Sequence, residues 1–308
     1  MTMDHSPPFA RVFSTGLLLA SMLCLVAPDA RAQQVFPSPD EAASALAAAV
    51  KSDARKDMLR VLGSDGEDII SSGDDVADKE SRERFTTAYD ARHSVKLEGD
   101  KKAVMILGND DFPFPIPLMK RKAGWEFDTG AGRLEILYRR IGRNELDAIQ
   151  TCLAYVDAQN EYAEKDRGEG AGVYAQRIVS TSGKKDGLYW PGDDSPLGEL
   201  AAQASAEGYK VGEGPIPYHG YYYRVLTQQG PNVPGGTLSY VVRGKMIGGF
   251  ALLAYPAEHG NSGVMTFLVN HHGVVYQKDL GDYTMKLVKR MNWFDPDQTW
   301  KKVDVAKP

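Results

Sequence analysis

The segment RLEILYRRIGRNELDAIQTCLAYVDAQNEYAEK, residues 133–165, decides how this chain is organised. Its apolar residues recur every three to five positions, the spacing of one face of an α-helix. They are Leu137, Ile141, Leu146, Ile149, Leu153 and Val156. The pattern is long for a globular helix, and Gly142 leaves open one long helix or two shorter ones. We place a domain boundary at its start, with an N-terminal domain over residues 33–132 and a C-terminal domain over residues 133–308.

The residues before this segment predict helices followed by antiparallel strands. Ser38, Pro39 and Glu41 form a helix start, with a capping serine, a first-turn proline and an acidic residue that completes a capping box. The further predicted elements are helices at 53–62 and 81–89 and strands at 93–98, 102–107, 115–122 and 124–128. Helices first and a small antiparallel sheet afterwards indicate the α+β class.

The residues after the segment predict a second antiparallel sheet. The predicted strands are 221–228, 238–242, 249–255, 264–270 and 274–278. The last two are joined by His271, His272 and Gly273, a tight hairpin with glycine where positive φ is expected. Residues 282–291 predict a closing helix. We therefore expect the long helix to pack on a C-terminal antiparallel sheet.

The first 32 residues have the form of a cleavable secretory leader. Arg11 precedes an apolar run over residues 17–27, and Ala30-Arg31-Ala32 supplies a small-x-small cleavage site. The run is shorter than the roughly 20 apolar residues that a permanent anchor requires. The sequence therefore predicts a periplasmic or secreted protein whose mature chain begins at about Gln33 and has no stable membrane span.

Charge and cysteine content narrow the classes of partner and fold. The chain has 36 Lys and Arg against 41 Asp and Glu, a formal net charge of −5, without a basic block, which argues against nucleic acid as a partner. Cys24 lies in the leader, so Cys152 is the single thiol of the mature chain and no internal disulfide can form. Its apolar helical surroundings predict a small buried side chain.

Several short motifs carry a resemblance to a known family. They are GED at 66–68, IGRNEL at 141–146, DGLYWP at 186–191, PYHGYYYR at 217–224, IGGFALLAYPAE at 247–258 and SGVMTFLVN at 262–270. Through them the chain resembles, from about Phe36 to Trp300, a family of exported bacterial proteins called domain of unknown function 2950 (DUF 2950). The resemblance implies export and assigns no activity.

Two partial resemblances concern the fold alone. The C-terminal half, with its helix, glycine loop, Tyr255-Pro256-Ala257 and final strand, resembles the globular part of type IV pilin-like proteins. It lacks their apolar N-terminal stalk, so the resemblance does not imply filament assembly. The N-terminal half loosely resembles a cystatin- or NTF2-like cone.

The most unusual local feature is the aromatic run from Tyr218 to Arg224. Alternation along a strand puts Tyr221 and Tyr223 on one face and Tyr222 and Arg224 on the other. Such rings can stack a planar or sugar ligand, with Arg224 as a charged donor. Equally, tyrosines on a strand serve as sheet core and cross-strand pairs.

Histidine supplies the remaining candidate site residues. His219 and His271 lie at predicted strand ends and join Tyr221, Tyr223 and Arg224 as ligand-binding candidates. No histidine pair has the spacing of a zinc motif, so we predict no metal site and no cofactor. No Gly-x-Ser-x-Gly element is present either, and we name no catalytic residue.

Two functional hypotheses follow. The first is a non-enzymatic envelope protein that binds another protein or a cell-surface polymer through the aromatic end of its sheet. The alternative is a periplasmic small-ligand-binding protein or hydrolase with a pocket between the two halves.

Overall fold

A computed structural model of the chain describes residues 33–212 and 214–304. The predicted leader, residues 1–32, lies outside the described residues, so export stays a prediction. In the part of the chain that is described, no helix combines the length and the apolar character needed to cross a bilayer.

The N-terminal half begins with four helices. They are α1 (Pro39–Lys51), α2 (Arg55–Leu62), α3 (Glu67–Ile70) and α4 (Asp75–Ala91). The predicted start of α1 is confirmed, since the Ser38 hydroxyl accepts the N–H of Glu41 at 3.2 Å. α4 begins well before the predicted residue 81, because the carboxylate of Asp74 accepts the N–H of Ala77 at 3.1 Å and caps the helix there.

A small antiparallel sheet follows these helices, as predicted. Its strands are β1 (His93–Leu97), β2 (Lys102–Leu107), β3 (Phe112–Pro113), β4 (Leu118–Arg121) and β5 (Gly124–Phe127). They lie in the order β1-β2-β4-β5, with β3 beside β2. Along β2, Ala103, Met105 and Leu107 are buried and alternate with more exposed residues. One face of the sheet therefore joins the core formed by the helices.

The central segment forms one uninterrupted helix, α5 (Thr129–Glu164), of 36 residues. It begins at Thr129, before the predicted start, because the Asp128 carboxylate accepts the N–H of Ala131 at 3.3 Å. Gly142 lies within the helix without breaking it. Cys152 is fully buried, as predicted, and burial raises the pKa of its thiol to about 12.

The C-terminal half carries two more helices and nine strands among the described residues. The elements are α6 (Gly198–Glu207), β6 (Tyr221–Leu226), β7 (Gln228–Gln229), β8 (Leu238–Ser239), β9 (Val241–Val242), β10 (Lys245–Met246), β11 (Ala251–Pro256), β12 (Met265–Asn270), β13 (Tyr276–Asp279), α7 (Thr284–Val288) and β14 (Lys301–Lys302). The main sheet has the antiparallel order β14-β13-β12-β11-β6, so β6 is an edge strand. α5 contacts β11 and β12, as expected for a long helix on a C-terminal sheet. The α+β class is thereby confirmed.

Two predicted elements differ from the structure. Residues 238–242 form two short strands in separate sheets, because the chain turns at the buried Tyr240, whose N–H donates to the Thr227 carbonyl. The closing helix ends at Val288, because the carbonyls of Val288 and Met291 accept hydrogen bonds from the Arg224 guanidinium instead. The predicted hairpin between the last two strands of the sequence analysis is present, with Gly273 at φ +71°, but its connection is wider than predicted and runs over 271–275.

Two apolar clusters make up the core, and α5 contributes to both. The first, under the N-terminal sheet, includes Leu46 and Met105, with Ile136 packed against it. The second, under the C-terminal sheet, includes Phe250 and takes α5 residues from Ala148 to Tyr162. A cut at residue 133 would therefore divide one structural element, and the domain boundary stays a prediction.

Two glycines of α5 test how tightly this helix is held. A Cβ on the buried Gly132 would lie 2.6 Å from the Ile116 Cα and the Pro115 carbonyl oxygen. A Cβ on Gly142 meets no atom within 4 Å. Gly132→Ala is therefore expected to lower the free energy of unfolding by about 1–3 kcal/mol. Gly142→Ala is expected to raise it by roughly 0.5–1 kcal/mol. Urea unfolding followed by circular dichroism measures both, and shifts of the same sign would contradict the packing of α5 described above.

Candidate functional site

A cavity of about 330 Å³ opens beside the edge strand β6. Helix α6 and the loop that follows it form one wall, and α5, β6 and β11 form the other. Its described lining contains aliphatic and aromatic side chains and no Asp, Glu, Lys or Arg. Seven tyrosines line it: Tyr155 on α5, Tyr222, Tyr223 and Tyr255 on the sheet, and Tyr189, Tyr209 and Tyr218 in loops. We call this space the aromatic cavity.

The aromatic run enters the cavity from both faces of the sheet. Tyr222 lies beside Tyr255 of the neighbouring strand, with the ring centroids 5.6 Å apart and the ring planes tilted by 35°. Tyr223 is on the opposite face, towards Thr151 and Tyr155 of α5, and lines the same cavity. Because β6 is the edge strand, a cavity beside it reaches side chains of both faces.

Tyr223 brings a buried hydroxyl to this wall, with the Thr151 hydroxyl as its neighbour. Thr151 donates to the Asp147 carbonyl at 2.9 Å, so its oxygen can still accept the proton of Tyr223 through a long hydrogen bond. Burial raises the pKa of Tyr223 well above the ordinary value, so the hydroxyl stays protonated.

His219 precedes the strand in a tight turn. The N–H of Tyr218 donates to the Tyr221 carbonyl at 2.8 Å, and the N–H of Tyr221 donates back at 3.1 Å. His219 has φ +49° and Gly220 has φ +75°, so both central residues have the positive φ of a type I′ turn. A histidine in this region of φ is uncommon, and the turn fixes the direction of its ring.

Two carboxylates hold the His219 ring. Nδ1 lies 2.9 Å from Asp147 of α5, and Nε2 lies 2.8 Å from Glu207 at the end of α6. Burial opposes the positive charge of the ring, but Glu207 and Asp147 together outweigh it, so the pKa of His219 is raised. The charged ring therefore joins α6, which covers the aromatic cavity, to α5.

The backbone of the same turn is bound by a residue of the N-terminal half. Asp74, 1% exposed, accepts the Gly220 N–H at 2.7 Å and the Tyr209 hydroxyl at 3.0 Å. Tyr209 in turn accepts the His219 N–H at 3.2 Å. The carboxylate that caps α4 thus also fixes the turn that carries His219.

Beside this turn lies a smaller polar cavity of about 130 Å³ between the two halves. His219, Asp147, Glu207 and Tyr209 line it together with Arg143. Tyr209 also lines the aromatic cavity, so the two spaces share one ring as a wall. We call this second space the polar cavity.

The structure places the five predicted site residues in different parts of the fold. Tyr223 and His219 lie in the walls of these neighbouring cavities. Tyr221 is fully buried and its hydroxyl donates to the Met265 carbonyl at 2.9 Å, so it belongs to the core. Arg224 points away, to the end of α7.

His271 lies at the other end of the sheet. It follows Asn270, which pairs with Ala251, whereas Tyr221 pairs with Pro256 at the far end of the same strand. Roughly 17 Å of sheet separates the two ends. Burial, and then the neighbouring His272, lower the pKa of His271, opposite to the shift at His219.

Four residues of the site were not among the predicted site residues. They are Asp74, Asp147, Glu207 and Tyr209, which come from the N-cap of α4, from α5, from the end of α6 and from the loop after α6, far apart along the chain. Among residues 33–212 and 214–304, no three His, Cys, Asp or Glu side chains gather as a metal site would require.

Comparison with known proteins gives one match. Residues 33–303 match the model of a family described as protein of unknown function (DUF2950). No curated protein and no solved structure matches the chain. The pilin-like and cystatin- or NTF2-like analogies therefore stay predictions.

The raised pKa of His219 predicts a pH-dependent contribution to stability. Its stabilising effect is present in full below the ordinary value of 6.5 and is lost as the pH rises through the higher value of the folded protein. His219→Asn suits a type I′ turn before Gly220 and removes only the titrating charge. The variant is expected to unfold more readily than the wild type at pH 6, with the difference shrinking towards pH 9. Thermal unfolding across this range measures it.

The matched control is Glu207→Gln, which keeps the ring of His219 and removes one of the two carboxylates that raise its pKa. Its difference from the wild type should have the same sign and should also shrink towards pH 9. A level difference for both variants would show that the two carboxylates do not hold a charged ring.

Proposed function

The chain belongs to the DUF2950 family, and we propose that it binds a small, neutral, largely apolar ligand in the aromatic cavity. The observation that carries this proposal is the lining of a concave space of about 330 Å³, which is aliphatic and aromatic and contains no charged side chain among the described residues. Ligand sites are typically apolar pockets of this size, roughly 300–1,000 Å³, with a few polar groups that fix orientation.

The lining selects the chemistry of the ligand. A neutral body is favoured because no charged side chain is among the described lining residues, and an ion would lose its water without compensation. The paired rings of Tyr222 and Tyr255 suit a planar or ring-containing body.

The concave position of the tyrosines supports small-ligand binding over adhesion to a protein or surface polymer. Tyr222 and Tyr223 form the wall of a cavity that α6 covers, rather than an exposed aromatic face. Hydrolysis is less well supported, because both ring nitrogens of His219 are bonded to carboxylates and neither is left to activate a nucleophile.

The place of action also belongs to this proposal. The leader-like segment at residues 1–32 supports binding outside the cytoplasm, in the periplasm or the medium. A protein of this location with a covered apolar cavity is suited to hold a poorly soluble compound in an aqueous compartment.

Two alanines of α6 provide a test of the cavity. Ala204 lines it, whereas Ala202 is exposed on the same helix. The fluorescent neutral compound N-phenyl-1-naphthylamine is expected to bind one molecule per chain. Ala204→Leu should weaken its binding more than tenfold by occupying the space, and Ala202→Leu should leave it unchanged. Fluorescence titration measures both, with thermal unfolding to show that each variant is folded. Equal binding by all three proteins would refute the proposed cavity.

Two changes at Tyr223 test its part in the wall. The hydroxyl is buried beside Thr151, so Tyr223→Phe keeps the ring in place and should leave the affinities for 1-naphthol and naphthalene within about twofold of the wild type. Tyr223→Ala removes the ring from the wall and should weaken binding of both compounds at least tenfold. Calorimetric titration with both compounds measures the contrast. Unchanged binding by Tyr223→Ala would show that this ring is not part of the binding site.

A further inference from the structure

A second large cavity lies in the N-terminal half, away from the aromatic cavity. It encloses about 500 Å³ between α1, α2, α4, the first sheet and the N-terminal part of α5. Most of its lining is apolar, including Val50, Ile69, Phe85, Ala88, Phe114 and Ile136. This volume would hold an alkyl chain of moderate length. We call it the arginine-rimmed cavity.

Its rim is strongly basic. Five arginines line it, against two aspartates. They are Arg82, Arg84, Arg139, Arg140 and Arg143, and the acids are Asp78 and Asp110. The aromatic cavity has no charged residue among its described lining, so the two spaces differ in the chemistry they accept.

Four of these arginines already have partners. Arg82 pairs with Asp53 at 2.6 Å, Arg84 with Glu80, and Arg139 with Glu135 at 2.6 Å. Arg140 donates to the carbonyls of Asp68 and Ile69 and to Asn261. These groups hold the rim together and leave little capacity for a ligand.

Arg143 is the exception. Its guanidinium has no hydrogen bond or ion pair to any described residue, and it lines both the arginine-rimmed cavity and the polar cavity. Burial, and then the positive charge of Arg84, lower its pKa, while Asp147 and Glu80 oppose this in part. A carboxylate beside the guanidinium would give it the direct partner that it lacks among the described residues.

We propose that the arginine-rimmed cavity is a second binding site, for a single-chain amphiphile whose carboxylate pairs with Arg143 and whose alkyl chain fills the apolar interior. A planar guanidinium binds a carboxylate through two parallel hydrogen bonds. The chain gains free energy by leaving water for the lining around Phe85 and Phe114. Neither part of the ligand suffices alone, because Arg143 is exposed to solvent and the interior is uncharged.

The first test varies the ligand. Isothermal titration calorimetry with decanoate, 1-decanol and acetate separates the contributions of head and chain. Decanoate is expected to bind at least tenfold more tightly than 1-decanol, and acetate should show no measurable binding. Raising the salt concentration should weaken the binding of decanoate more than the binding of 1-decanol. Equal affinities for decanoate and 1-decanol would overturn the role of the carboxylate.

The second test varies the protein charge. Arg143→Gln is expected to weaken the binding of decanoate about tenfold and to leave the affinity for 1-decanol unchanged. Arg290→Gln makes the same change in net charge at another exposed arginine, away from the cavity, and should have no effect. An equal loss in both variants would show that decanoate responds only to overall charge, which would overturn the assignment of Arg143.

The third test varies the space. Ala88 lines the cavity, and Ala91 is exposed on the same helix. Ala88→Leu should weaken decanoate at least fivefold, while Ala91→Leu should not. Ala204→Leu, which fills the aromatic cavity, should also leave decanoate binding intact. Loss of decanoate binding in Ala204→Leu with retention in Ala88→Leu would place the amphiphile in the other cavity and overturn this proposal.

Discussion

The two halves of this protein are held together by the polar face of one helix. Arg140 of α5 donates to the carbonyls of Asp68 and Ile69 in the N-terminal half and to Asn261 in the C-terminal half. Burial lowers the pKa of Arg140, which the nearby Asp78 and Asp68 partly oppose. Because buried carbonyls and a buried guanidinium are costly without partners, these bonds fix how α5 lies against both halves.

That constraint determines where the cavities lie. One stripe of α5, formed by Ile136, Arg140, Asn144, Asp147, Thr151 and Tyr155, follows the three- to four-residue spacing of a helix face. The stripe passes the arginine-rimmed cavity, then the polar cavity, and then the aromatic cavity. Charged side chains line the arginine-rimmed and polar cavities, and none is among the described lining of the aromatic cavity. A single rigid helix thus presents different chemistry to successive spaces.

The turn before β6 connects the polar face of α5 to the aromatic cavity. Asp74 fixes the backbone of the turn, while Asp147 and Glu207 fix the ring of His219. Glu207 ends the helix that covers the cavity, so the position of that cover depends on groups from α4, α5 and α6 together. These hydrogen bonds stabilise His219 in its strained backbone conformation with positive φ.

The sequence by itself determined the class of fold and most of its elements, but not α6, the helix that covers the aromatic cavity. The 3.6-residue periodicity of 133–165, the cap at Ser38 and the glycine of the 271–273 hairpin are local, and each was sufficient to place an element. Strand alternation correctly separated Tyr221 and Tyr223 from Tyr222 and Arg224. Tertiary structure alone decided that Tyr223 faces a cavity, that Tyr221 is core and that Arg224 binds the end of α7. Those outcomes depend on which strand lies at the sheet edge and on which carboxylates meet His219. Such contacts join residues far apart in the chain, and no local pattern encodes them.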